Sequence, residues 1–168
     1  MKAAISDRRT GRDLWLARHQ WTTFLLASGL STTGAFAGLT AKGWVLMDGT
    51  GNPMLLALHF ALLSLPTILV SGPAGVLTDR IGCEMVLLRS QVGLFLSAVL
   101  GAVAVSGFEG SFQVALILLS SLIMGMAGSF ELTARNKYTA LLVNRPERLA
   151  PYLASFSVVF NVGKLVGP

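Results

Sequence analysis

Apolar residues run in long blocks along this chain, and polar residues collect in short stretches between them. Four blocks are long enough to cross the roughly 30 Å of hydrocarbon in a bilayer, which takes about 20 residues. They cover residues 21–47, 53–77, 85–105 and 112–130. A fifth run begins at Leu153 and continues to Pro168. The blocks predict helices, because lipid tolerates no unpaired backbone and the short alternating strands of a barrel are missing from the pattern. The connections "DGTGN", "TDRIGCE" and "SGFEGS" carry turn-forming Gly, Asp, Asn and Ser. A longer connection is expected from Glu131 to about Tyr152, where "NRPERLAP" reads as the start of a short interfacial helix with Pro146 in its first turn.

The fold class that follows is all-α and polytopic: a basic segment 1–20, then an incomplete transmembrane domain over 21–168. The fifth run holds 16 residues, roughly 24 Å of helix and short of a crossing. The expectation is an amino-terminal piece of something longer.

Composition agrees with a membrane setting. Hydrophobic residues make up 53% of the 168 and charged residues 12%, where a globular domain carries roughly 25% charged. That is too little to clothe a soluble protein of this size. The net charge is +5, but the basic residues sit between apolar runs instead of forming a face, which excludes nucleic-acid binding. They encode topology instead. Lys2, Arg8, Arg9, Arg12 and Arg18 precede the first block. Arg80 and Arg89 follow the second, and Arg135, Lys137, Arg145 and Arg148 follow the fourth. The first and third connections hold no Lys or Arg. The positive-inside rule therefore predicts a cytoplasmic amino terminus in a multi-pass cell-membrane protein, a bacterial inner membrane being expected. "AFA" at 35–37 imitates a signal-peptidase site, yet the apolar stretch runs on to Met47 and the leading segment is long for a signal peptide.

The chemistry-bearing residues are few. Cys83 is the single cysteine, so no internal disulfide is implied, and Cys83, His19 and His59 lack metal-ligand spacing. His19 is expected at the membrane edge. His59 lies in an apolar run and reads equally as a pathway residue or as a packed histidine. No nucleophile–base pair or phosphate loop is present, so neither an enzyme nor a cofactor is implied. Small residues stud the blocks, notably "GAFAG" (Gly34, Gly38) and "GMAGS" (Gly125, Gly128), and read as close helix packing.

The charged stretch "SGPAGVLTDRIGCEM" stands out. Gly75 leaves room for a neighbouring helix and Gly82 permits the turn into the third block. Asp79, at or near membrane depth, calls for a cationic partner or a helix amino terminus. An ordinary solvated turn with Arg80 as a topology signal fits the spacing equally well.

"GPAGVLTDRIG" resembles the loop between helices two and three of the major facilitator superfamily. The surrounding motifs resemble the branch that contains the enterobactin exporter and many drug and macrolide efflux proteins: "RDLWLARHQ" before the first block, "ELTARNKY" after the fourth and "FNVGKLVGP" in the fifth. The resemblance implies four helices and part of a fifth from an amino-terminal six-helix half. It implies proton-driven efflux of an unknown small molecule by alternating access, with the missing carboxyl-terminal half as partner. Gly75, Asp79, Arg80 and Gly82 would form a cytoplasmic gate, with Glu131 and Arg135 as neighbours. The pattern usually has a basic residue four positions after the aspartate, where this chain has Cys83 followed by Glu84; Arg80 or Arg135 is then the expected substitute.

Gly163, Lys164, Gly167 and Pro168 resemble the opening of the helix-five pattern of exporters and antiporters. Lys164 lies well inside the fifth run, where it would bind an anionic substrate, pair with an acid of another helix, or snorkel to an edge. A rival reading is a small standalone membrane protein, a dimeric transporter or adaptor. No Asp or Glu lies inside the first four blocks, which counts against proton-coupled transport by this chain alone.

Overall fold

The computed structural model describes residues 11–143 and 146–168, with side chains described over 21–141 and 150–168. Five helices follow one another: α1 (Gly11–Thr50), α2 (Pro53–Ile81), α3 (Cys83–Gly107), α4 (Gly110–Val143) and α5 (Pro146–Val166). No strand occurs among the described residues. Four stretches are long and apolar enough to cross a membrane: Trp21–Thr50, Pro53–Ile81, Cys83–Gly107 and Gly110–Leu141. The fifth, Ala150–Val166, is shorter. The basic residues up to Arg18, His19, and Arg145 and Arg148 lie outside the described side chains.

The helices outrun their apolar blocks, and the connections shrink accordingly. Asn52 caps α2 by accepting a 2.9 Å hydrogen bond from the Met54 amide, with Pro53 in the first helical position. The expected "TDRIGCE" loop is instead helix up to Ile81 and again from Cys83, separated by Gly82 alone. Gly82 takes φ 88° and ψ 145°, a conformation open essentially to glycine. The long fourth connection is not a loop either. "ELTARNKYTALLV" contains no Gly or Pro and is rich in helix formers, so α4 continues to Val143, and α5 begins at Pro146. Apolar length marks the lipid boundary; it does not mark where a helix stops.

α4 is the centre of the bundle, packed most extensively against α3 and α2, while α1 packs mainly on α5. Leu46, Ala104 and Ile117 form one small apolar core, and Cys83, Val86 and Ala134 another. Much of the interior is Ser and Thr, whose hydroxyls donate to carbonyls of their own helices, as from Ser121 to Ile117 and from Thr139 to Arg135. Large apolar side chains point outward instead, Leu30, Trp44 and Ile68 among them. Polar groups satisfied inside and apolar groups outside suit a lipid solvent.

Close packing falls on particular glycines. A Cβ on Gly125 would lie 2.7 Å from the Leu62 and Leu63 carbonyl oxygens of α2. A Cβ on Gly167 would lie 2.7 Å from the Thr33 carbonyl of α1. Gly34, Gly38 and Gly128 have nothing within 4 Å of that position, so the expected packing role of the "GAFAG" pair is not made within this bundle.

Candidate functional site

The candidate gate is built where α2, α3 and α4 come together at one end of the bundle. Thr78 is buried and its hydroxyl donates to the Ala74 carbonyl at 2.7 Å, and the helical advance of about 100° per residue carries the next position outward. Asp79 accordingly keeps a largely exposed carboxylate, and the Lys137 ammonium donates to it at 2.5 Å. Arg80 stands in the last turn of α2, where a cation complements the carbonyl end of a helix. A Cβ on Gly75 would meet nothing within 4 Å, so the close neighbour expected there is not seen.

Cys83 is buried against Val86 and Ala134, with Leu87, Phe130 and Tyr138 around them. A cationic side chain at 83 would be thrust into this apolar cluster. The cation that meets Asp79 comes from α4 instead. It is neither Arg80 nor Arg135, the substitutes expected from the sequence, but Lys137, which pattern reading had assigned only to topology.

Arg135 is engaged elsewhere. Its guanidinium donates to Glu131 at 3.1 Å, one turn earlier on α4, and lies 4.3 Å above the Phe156 ring of α5. Gln91 of α3 also donates to Glu131, at 3.4 Å. Glu131 and Arg135 are both largely buried, so this cluster ties α3, α4 and α5 together beneath the exposed Asp79–Lys137 pair. The helix-five residues lie apart from it. Gly163 and Gly167 approach Thr32, Thr33 and Phe36 of α1. The Lys164 ammonium sits over the Phe160 and Phe36 rings at 4.8 and 5.6 Å, in cation–π contact.

A second polar group lies deeper. His59 of α2 is fully buried, with Nδ1 2.6 Å from the Ser121 hydroxyl of α4. Lys42 of α1 is 4% exposed; its ammonium donates to Ser120 at 3.2 Å and approaches the Met124 sulfur at 3.8 Å. Lys42 was missed in the sequence reading, although a lysine within an apolar block is the signal that marks it.

The family model described as transmembrane secretion effector matches residues 15–168. The chain belongs to this family, which is of the major facilitator type. The match spans all four candidate membrane helices and the shorter fifth. This major facilitator protein is therefore a multi-pass membrane protein of a transporter family, and the all-α fold expected from the sequence stands. No curated protein and no solved structure matches the chain.

Proposed function

We propose that this chain is the amino-terminal part of a proton-driven efflux transporter working by alternating access, in the branch that contains the enterobactin exporter and the macrolide and drug efflux proteins. The amino terminus and the α2–α3 and α4–α5 junctions face the cytoplasm of a bacterial inner membrane, as the distribution of basic residues supports. A transport cycle of this kind needs two bundles rocking about a site between them. The described helices supply most of one bundle, and the rest of that bundle together with the other bundle is the partner. The observation that carries the gating role is the convergence of Asp79, Lys137 and the one-residue turn at Gly82 at a single bundle end. Contacts confined to the surface of one end are suited to being made in one state and exchanged in another.

Proton drive needs a group within the spans that gains and loses a proton; the candidate in this reading is His59, whose Nδ1 meets the Ser121 hydroxyl and whose Nε2 has no hydrogen-bond partner. Lys164 and the Gly163–Pro168 segment belong in this reading to the α1–α5 face. The test is reconstitution into vesicles with an imposed pH gradient and an amphipathic fluorescent cargo. The 168-residue chain alone is expected to give no uphill flux, and the same chain joined to the remaining helices of its own bundle and to a carboxyl-terminal bundle is expected to give it. Uphill flux by the chain alone would favour the standalone reading, and none from the joined protein would overturn the proposal.

A further inference from the structure

α5 lies against α1 through two glycines. A Cβ on Gly163 would lie 3.1 Å from the Thr32 Cγ2, and one on Gly167 would lie 2.8 Å from the Phe36 Cβ. Lys164, next to Gly163, is thereby set beside Phe36 at the edge of the contact. Its ammonium lies 4.8 Å from the Phe160 ring centroid and 5.6 Å from that of Phe36. The two half-buried rings meet edge to face, 5.7 Å apart at 76°. Phe36 stands fifteen residues after Trp21 and fourteen before Thr50, at the middle of the first membrane span. Each end of that span is about 20 Å away at the helical rise, beyond the reach of a snorkelling side chain.

The lysine belongs to a polar stripe. Ser157, Asn161 and Lys164 follow at i, i+4 and i+7, so they share one face of α5, and all three are exposed. Val158, Val162 and Leu165 form a separate exposed face, rotated by one residue, about 100°. The apolar face suits lipid. A hydroxyl, an amide and an ammonium in a row do not, and polar side chains at this depth mark a water-filled path. The charge also lacks a counterpart. No carboxylate pairs with Lys164 among the described residues. Asp48 is the one acid among the described side chains of α1 and α5, and it stands twelve residues from Phe36. The rings attract the cation but leave its charge uncompensated.

We propose that Lys164, Phe36 and Phe160 form a binding site for anionic cargo: an aromatic ring system bearing a carboxylate. The carboxylate pairs with the ammonium, and the ring system packs on the two phenyl groups in edge-to-face or offset contact. The mid-span depth keeps the headgroups of bilayer lipids away, so the anion is a free small molecule. Ser157 and Asn161 continue the path along α5. The inference rests on the transport reading and adds the chemical class of the cargo.

The test is equilibrium dialysis with the full chain in phosphatidylcholine nanodiscs, empty nanodiscs serving as the blank. The probes are 1-naphthylacetate, its neutral amide 1-naphthylacetamide, and cyclohexylacetate. Naphthylacetate is expected to bind roughly tenfold more tightly than the amide, as a charge-assisted contact allows. It is expected to bind about threefold more tightly than cyclohexylacetate, which has no aromatic face. Lys164→Met is expected to abolish the preference for acid over amide, and Lys164→Arg to keep it. Phe36→Leu is expected to abolish the preference for the aromatic acid. No saturable binding of naphthylacetate, equal binding of acid and amide, or equal binding of the two acids overturns the proposal. So does an acid preference that survives Lys164→Met and is lost in Lys42→Met, which would move the site to the other intramembrane lysine. The probe comparison on the unsubstituted chain decides the matter even where a variant does not fold. Dialysis reads binding alone, so a joined two-bundle protein that gives no flux overturns the transport reading and leaves the binding result standing.

Discussion

Lys137 of α4 reaches Asp79 of α2 across 58 positions of chain, and this contact closes over the one-residue turn at Gly82. Both partners are substantially exposed, with side-chain accessibilities of 39% and 73%. Exposed pairs contribute about 0.2–1 kcal/mol. A double-mutant cycle of Asp79→Asn and Lys137→Met, read by thermal unfolding in detergent, is expected to give a coupling within that range that falls as salt is added. A salt-independent coupling of several kcal/mol would show the pair to be a structural strut instead.

The two glycines flanking Asp79 are expected to separate. Gly82 lies at φ 88°, so Gly82→Ala forces a side chain into strained backbone and should cost about 1–3 kcal/mol. Gly75 meets no neighbour, and its replacement by Ala within a helix should be neutral or slightly stabilising. Unfolding midpoints of the two variants under the same conditions check this.

A similar contrast holds for the glycines of α1 and α4. Gly125→Ala drives a methyl group onto the α2 backbone and should lower stability by about 1–3 kcal/mol, with α2 and α4 moving apart. Gly34→Ala should leave the isolated chain unchanged. Disulfide crosslinking between cysteines placed on α2 and α4 reports the separation.

Glu131 and Arg135 are buried enough that breaking their pair matters. Glu131→Gln leaves the Arg135 cation without its carboxylate and should cost about 3 kcal/mol, lessened by the Phe156 ring beneath it. Replacing both residues with Gln and Met should recover part of that loss. An additive double mutant would show that the pair is not coupled.

The apolar blocks made the membrane helices legible, and Pro53 and Asn52 marked the start of α2. The ends were not legible. Amphipathic stretches such as 131–143 carry enough helix propensity to continue beyond lipid, where hydropathy has nothing to say. The gate stretch was legible as a unit, but Asp79's partner was not. Lys137 and Arg135 lie two positions apart on one helix, and only their facing decides which of them reaches α2. Lys42 was hidden by its own apolar surroundings: the block stays hydrophobic enough on average to absorb one charge.

The approach of Gly125 to Leu62 and Leu63 also acts as a fulcrum. Lys137 stands twelve residues further along α4, a lever arm of about 18 Å at the helical rise. A rotation of α4 by only about 10° about the fulcrum carries the ammonium some 3 Å, the difference between a direct ion pair and one opened to water. Small angular motion at mid-bilayer is thereby amplified into the making or breaking of a contact at the surface.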